Sequence, residues 1–196
     1  MKNSLTKLAL ATSIAAMPLL ADDTFKNAKS LFAIEGGYSD LGVNVYDSGV
    51  GISNLGKENG GMGTIGIKVG AQSENYRIFI SARHYDTDKL SRLNTYGAEA
   101  QYMFNFSEPV NFFVGINGGI ANLRVSSTAT YDTAYDNLKY VGGDLGFNYH
   151  ATELVDVELG YRFMTFPDDI ERSTYTYQFD RLQTFYVSAI IKWDMD

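Results

Sequence analysis

From Ser30 to the end of the chain, apolar and polar residues alternate with a period of two, and the period of a helix never takes hold. The last such segment is the cleanest. Phe185, Val187, Ala189, Ile191 and Trp193 share one face, with Thr184, Tyr186, Ser188, Ile190 and Lys192 on the other. Segment 7 sets Val155, Val157, Leu159, Tyr161 and Phe163 against Asp156, Glu158, Gly160 and Arg162. Segment 6 sets Val141, Leu145, Phe147 and Tyr149 against Tyr140, Asp144, Asn148 and His150. In segment 5, Phe112, Val114 and Ile116 oppose Asn111, Phe113 and Asn117. In segment 4, Tyr96, Ala98, Ala100, Tyr102, Phe104 and Phe106 oppose Gly97, Glu99, Gln101 and Asn105. The first half repeats the pattern: Tyr76, Ile78 and Ile80 against Arg77, Phe79 and Arg83; Ile65, Ile67 and Val69 against Thr64, Lys68 and Gln72; Phe32, Ile34 and Tyr38 against Leu31, Glu35 and Ser39. Each segment runs roughly 9 to 13 residues, the length a tilted strand needs to cross a bilayer. The pattern predicts eight β-strands.

Such strands suit either a soluble sandwich or barrel with a greasy interior, or a membrane barrel turned inside out. The polar faces favour the second. They carry Glu35, Lys68, Arg77, Arg83, Glu99, Asp144, Asp156, Glu158, Arg162 and Lys192, five of each sign. A soluble surface has no reason to balance charge across eight strands, whereas a closed lumen must, because an unpaired buried charge costs several kcal/mol. Glycines on the same faces leave room for these long side chains. The joins alternate in length as well. About 21 residues link segments 1 and 2, and about 16 link segments 5 and 6 and again 7 and 8, with Asp86 to Leu93 between 3 and 4. Ser73-Glu74-Asn75, Ser107-Glu108-Pro109 and Ala151-Thr152-Glu153 make the other three. That is the asymmetry of extracellular loops and periplasmic turns, with both termini periplasmic. Tyr102, Phe104, Phe106, Phe112, Tyr149 and Trp193 gather at the short-turn ends as an expected aromatic girdle.

The first residues bear on compartment. Lys2 and Lys7 precede an apolar stretch from Leu8 to Leu20, and Ala21 stands before two aspartates. This reads as a secretory signal peptide over 1–21, with 22–196 as one barrel domain. Its removal leaves 14 basic against 23 acidic residues, a balance of −9 that lies outside the neutral strand faces. An acidic exported chain is a poor nucleic-acid binder. The chain has no cysteine, which excludes disulfides and thiolate metal sites, and no apolar run approaches the roughly 18 residues of a spanning helix.

The export signal, eight strands, alternating loops and aromatic-ended last strand together resemble the small outer-membrane β-barrel proteins. These include the transmembrane domain of outer-membrane protein A, the outer-membrane protein X type and opacity-type proteins of the porin family. The resemblance implies an all-β, eight-stranded antiparallel up-and-down transmembrane barrel in a Gram-negative outer membrane. It also implies surrounding lipid and lipopolysaccharide, assembly machinery that engages the C-terminal strand, and no cofactor. Members usually end on the aromatic itself, whereas Asp194-Met195-Asp196 follow Trp193 here. No peptidoglycan-binding domain of the outer-membrane protein A kind is expected after the barrel.

Strand direction suggests pairs among the interior charges: Glu35 with Lys68, Arg83 with Glu99, Asp144 with Arg162 and Asp156 with Lys192. A gate that opens by exchanging partners would use them. A static plug would too, and eight strands enclose only enough room for side chains, so the plug is expected. His84 and Asp86 share the outward face of strand 3, but the lipid A-modifying enzymes of this size need an outward serine beside the histidine, and Asp86 stands two positions after it. Catalysis is not expected. His150 faces inward at a short turn, and neither histidine has metal-ligand spacing. Gly60-Gly61-Met62-Gly63 lacks a following helix and Lys-Ser/Thr, so it reads as flexible backbone re-entering strand 2 rather than a phosphate loop. The long loops are acidic, with Asp168, Asp169 and Glu171 densest, and hold Tyr131, Tyr135, Tyr175 and Tyr177, which leaves a surface ligand open. The expectation is a non-enzymatic barrel serving envelope structure or surface interaction, with a narrow channel second and a lipid A enzyme third.

Overall fold

The computed structural model describes residues 28–47, 53–86, 92–125, 134–168, 170–171 and 175–194. The segment 1–21 and the loop residues Tyr131 and Asp169 lie outside them. Among the described residues nine strands form: β1 (Lys29–Asp47), β2 (Ser53–Gln72), β3 (Tyr76–Asp86), β4 (Arg92–Ser107), β5 (Val110–Val125), β6 (Ala134–His150), β7 (Val155–Thr165), the two-residue β8 (Ile170–Glu171) and β9 (Tyr175–Asp194). Each long strand pairs antiparallel with the next, and β9 pairs back onto β1 from Lys29↔Asp194 to Asp47↔Tyr175. The eight long strands therefore close a barrel in which each has a partner on both sides. β8 is a short ladder on β9.

The register measures the barrel. A path along the ladders from Leu31 passes Gly70, Phe79, Glu99, Asn117, Gly142, Met164 and Leu182 and returns to β1 at Leu41, ten residues further on. Eight strands with that stagger tilt by about 40° and enclose just enough room for side chains. Away from the register shifts at Leu41/Val43, Val45/Tyr46 and Asn105/Ser107, alternation then assigns each residue to lumen or wall. The wall is apolar: Ile34, Ile67, Val114, Ile116, Leu159, Phe185 and Val187 are all exposed. From Phe185 to Trp193 this band is about 20 Å tall at the usual rise and tilt. Above it the outward residues turn polar, with Asp40, His84, Asp86, Asn94, Lys139 and Arg181.

Below the band's lower edge lie three short turns. Ser73 donates its N–H to the Tyr76 carbonyl at 2.8 Å, and Thr152 Oγ1 accepts from the Leu154 and Val155 amides at 3.2 and 3.0 Å. At the other end the structure corrects the expected long loops. β1 and β2 stay paired as far as Asp47↔Ser53, β5 and β6 as far as Val125↔Ala134, and β9 already begins at Tyr175. The Gly60–Gly63 run, expected as flexible backbone, sits inside β2 opposite Tyr38 to Leu41. The Tyr38 hydroxyl lies over Gly61, 1.9 Å from where a Cβ would stand. Alternation is enforced only where one face meets lipid and the other the lumen, so paired backbone beyond that band reads as loop.

The lumen is layered along the barrel axis. Toward the long loops, Leu41, Met62, Tyr85, Leu93, Leu123, Leu138, Tyr140, Met164, Phe166, Phe179 and Leu182 form one buried apolar cluster. Beneath it Ser39 Oγ bonds Thr64 Oγ1 at 2.5 Å and Thr184 Oγ1 at 2.8 Å, bridging three strands. The charged residues follow, and at the short-turn mouth come Asn111, His150, Asp156 and Lys192.

Candidate functional site

The ten charged residues expected on the inner faces all point into the barrel and are 0 to 7% exposed. Their centre is a ring of four. Glu35 on β1 accepts from Arg83 Nε at 2.5 Å and from Arg162 Nη1 at 2.9 Å. Glu99 on β4 receives the other ends of the same two guanidiniums, with Arg162 Nη2 at 3.4 Å. Arg83 and Arg162 enter from β3 and β7, so the ring ties nearly opposite walls together.

Lys68 leads from the ring toward the short turns, 3.5 Å from Glu35 and 3.0 Å from Glu158. Glu158 also pairs with Arg77. Two amides extend the network from Arg77. Its Nε donates to Gln101 Oε1 at 2.8 Å, and Gln101 in turn donates to Asp144. Its Nη1 donates to Asn148 Oδ1 at 3.3 Å, and Asn148 Nδ2 donates to Asp156 at 3.0 Å. Asp156 then holds Lys192 at 2.5 Å and His150 Nδ1 at 2.7 Å. All ten charges thus belong to one connected hydrogen-bonded network, and the amide side chains of Gln101 and Asn148 join its parts. Buried ions are tolerable when paired and bonded in this way, because each lone pair or N–H left empty would carry its full desolvation cost.

One expected pair does not form. Asp144 and Arg162 are register partners across β6 and β7. Yet the Arg162 guanidinium crosses the lumen to Glu35 and Glu99, and Asp144 is held by Gln101 and by Asn117 Nδ2 at 3.4 Å. A long arm in a narrow tube reaches beyond its neighbour. Glu35 and Lys68, Arg83 and Glu99, and Asp156 and Lys192 do meet.

Inward aromatics supply a second kind of support that charge reading alone misses. Lys68 lies over Phe79 at 4.7 Å and over Tyr186 at 5.3 Å, Arg77 over Phe79 at 5.2 Å and Phe113 at 5.3 Å, and Arg162 over Tyr186 at 4.3 Å. A cation over a ring face in a dry site gains about 2 kcal/mol. Gly160 makes space for this, since a Cβ there would lie 2.4 Å from the Tyr186 ring. The sequence signal was available: Phe79, Phe113 and Tyr186 interrupt otherwise polar faces.

On the wall, rings at the short-turn end touch in series. Tyr76 meets Tyr102 at 5.2 Å, Tyr102 meets Phe104 at 4.8 Å, and Phe112 meets Phe104, Phe106 and Phe147 at 6.0, 6.4 and 5.4 Å. Tyr149 and Trp193 are half-exposed at the same end. At the opposite edge of the band, His84 Nδ1 lies 2.7 Å from Asn94 Oδ1 on the outside. His150 faces the mouth, 3.0 Å from Asn111 Nδ2 and 3.2 Å from Lys192 Nζ.

No family model matches the chain, and no curated protein matches it. Solved structures do. Neisserial surface protein A superposes with a TM-score of 0.61 at 19% identity, over 86% of this chain and 100% of that one. The outer membrane protein OprG of Pseudomonas aeruginosa gives 0.59 at 11%, over 88% and 100%. The N-terminal β-barrel domain of Pseudomonas aeruginosa OprF gives 0.51 at 10%, over 86% and 98%. At such identities the likeness is one of fold: the chain has the architecture of the small eight-stranded outer-membrane β-barrels.

Proposed function

We propose that this chain is a non-enzymatic, non-conducting barrel of a Gram-negative outer membrane, serving envelope structure or surface interaction through the hairpins that rise above the membrane. The single observation that carries the reading is the lumen. It is electrically neutral, its ten charges are joined in one network, and it is capped toward the long loops by packed apolar side chains. An ion entering it would have to displace charged partners that have no water to turn to. The apolar wall supports residence in lipid, and the balance of −9 left outside the lumen supports solvated outer loops. Residues 1–21 would be the export signal, removed to leave 22–196. The last strand, with Trp193, would engage the barrel-assembly machinery, and lipid with lipopolysaccharide would surround the wall.

His84 supports no catalytic role. Its partner is the Asn94 amide, not a serine, and Asp86 is the next outward residue on its strand. The competing reading is a narrow channel for ions or small solutes, and planar-bilayer recording separates the two. The wild-type barrel is expected to give no steady single-channel steps. Steady wild-type steps whose size changes with Glu35→Gln or Arg162→Gln would replace the plug with a pore.

A further inference from the structure

The wall over β2, β3 and β4 carries a groove of about 320 Å³ at the upper edge of the apolar band. Ile65, Ile67, Ala82 and Tyr96 line its lower part, and His84 and Asn94 line its upper end. Register explains the shape. Ala82 sits between Ile67 and Tyr96 on neighbouring strands, so one methyl group separates two large side chains. Above Ile65 the next outward residue of β2 is Gly63, where a Cβ would meet nothing within 4 Å. The groove is therefore amphipathic along its length and continuous with the lipid-facing wall below.

Its polar end is a hydrogen-bond donor. With Asn94 Oδ1 accepting from His84 Nδ1, the Asn94 amide N–H groups have no partner among the described residues. Asp86, one outward position higher on β3, sets a carboxylate toward the headgroup side. A neutral acceptor at the hydrocarbon boundary fits this arrangement, and an anionic group does not. At that depth a membrane lipid presents its acyl carbonyls. We propose that this groove seats one acyl chain of a surrounding lipid, with its ester or amide carbonyl bonded at the His84–Asn94 pair and its hydrocarbon lying over Ala82 between Ile67 and Tyr96. The proposal rests on the reading that the barrel spans a membrane.

The chain has two histidines, one at the groove and one at the opposite mouth, so side-chain labelling reports the site with its own control. Nitrogen-15 histidine-labelled barrel in maltoside micelles is titrated with dimyristoyl phosphatidylcholine and, separately, with its diether analogue, which lacks the carbonyls. The diester lipid is expected to shift the His84 imidazole signals saturably while His150 stays fixed. The diether lipid should bind about tenfold more weakly, the worth of one buried hydrogen bond. Ala82→Phe, which fills the floor from the lipid side, should abolish saturation with the fold unchanged. A linear response identical for both lipids, or saturation that survives Ala82→Phe, overturns the proposal. A His84 shift that follows protein concentration at fixed lipid also overturns it, assigning the groove to a second copy of the chain. A chain that forms no barrel in micelles brings down the membrane-spanning reading as well, whereas a folded barrel without saturation brings down the groove alone.

Discussion

Glu35 carries one negative charge and faces three positive ones, on Arg83, Arg162 and Lys68. Neutralising it leaves the lumen one positive charge in excess where no water can compensate. Glu35→Gln is expected to destabilise the barrel by about 3–5 kcal/mol, the usual cost of removing one member of a buried ion pair. Asp156→Asn should cost clearly less. Asp156 holds Asn148, His150 and Lys192, but the last two lie at the open mouth and can turn to water. Urea unfolding of both variants in one lipid system checks the order, and equal midpoints would contradict the layered lumen. The ten charges themselves were legible in the sequence, because a strand's alternation places every second residue inside whatever its chemistry. Their pairing was legible only in part. Register predicts neighbours, but Arg162 is long enough to bypass Asp144 and reach β1 and β4, and no one-dimensional spacing records which partners face each other across a tube.

The strands were legible where the membrane makes inside and outside differ. β3 and β7 run 11 residues each and alternate between exposed and buried without interruption, as segments lying mostly between lipid and lumen must. β1 and β2 run 19 and 20 residues, and the half of each nearer the long loop was hidden. In β2 the residues 53–60, SNLGKENG, hold one large apolar side chain, so no alternation marks them as strand. The paired extension has a consequence for residues 126–133. Val125 and Ala134 are already cross-strand partners, so a two-residue Asn-Gly turn can close the hairpin directly. Replacing 126–133 in this way is expected to leave the urea midpoint unchanged, within about 0.5 kcal/mol. A large loss would show that these residues belong to the folded core rather than to a display surface.

At the scale of the molecule, closure matters more than any single contact. Each long strand is paired on both sides, and the ladder from β9 back to β1 is as long as the others. Unfolding cannot begin by peeling an edge, so the barrel should persist in cold dodecyl sulfate and open only on boiling. Boiled and unboiled samples are expected to run at different positions on a gel, and identical mobility of a β-rich preparation would count against closure. The same ladder decides how the molecule meets proteases. An endoprotease must draw its substrate into an extended, unpaired form, and backbone already committed to a sheet resists that. Of the chain's 16 lysines and arginines, eleven lie within the strands, including Lys57, Arg92, Arg124 and Arg181 above or at the rim of the membrane band. A trypsin-like enzyme working from the long-loop side therefore finds most of its preferred bonds locked, and the paired hairpins act as armour for the chain they display.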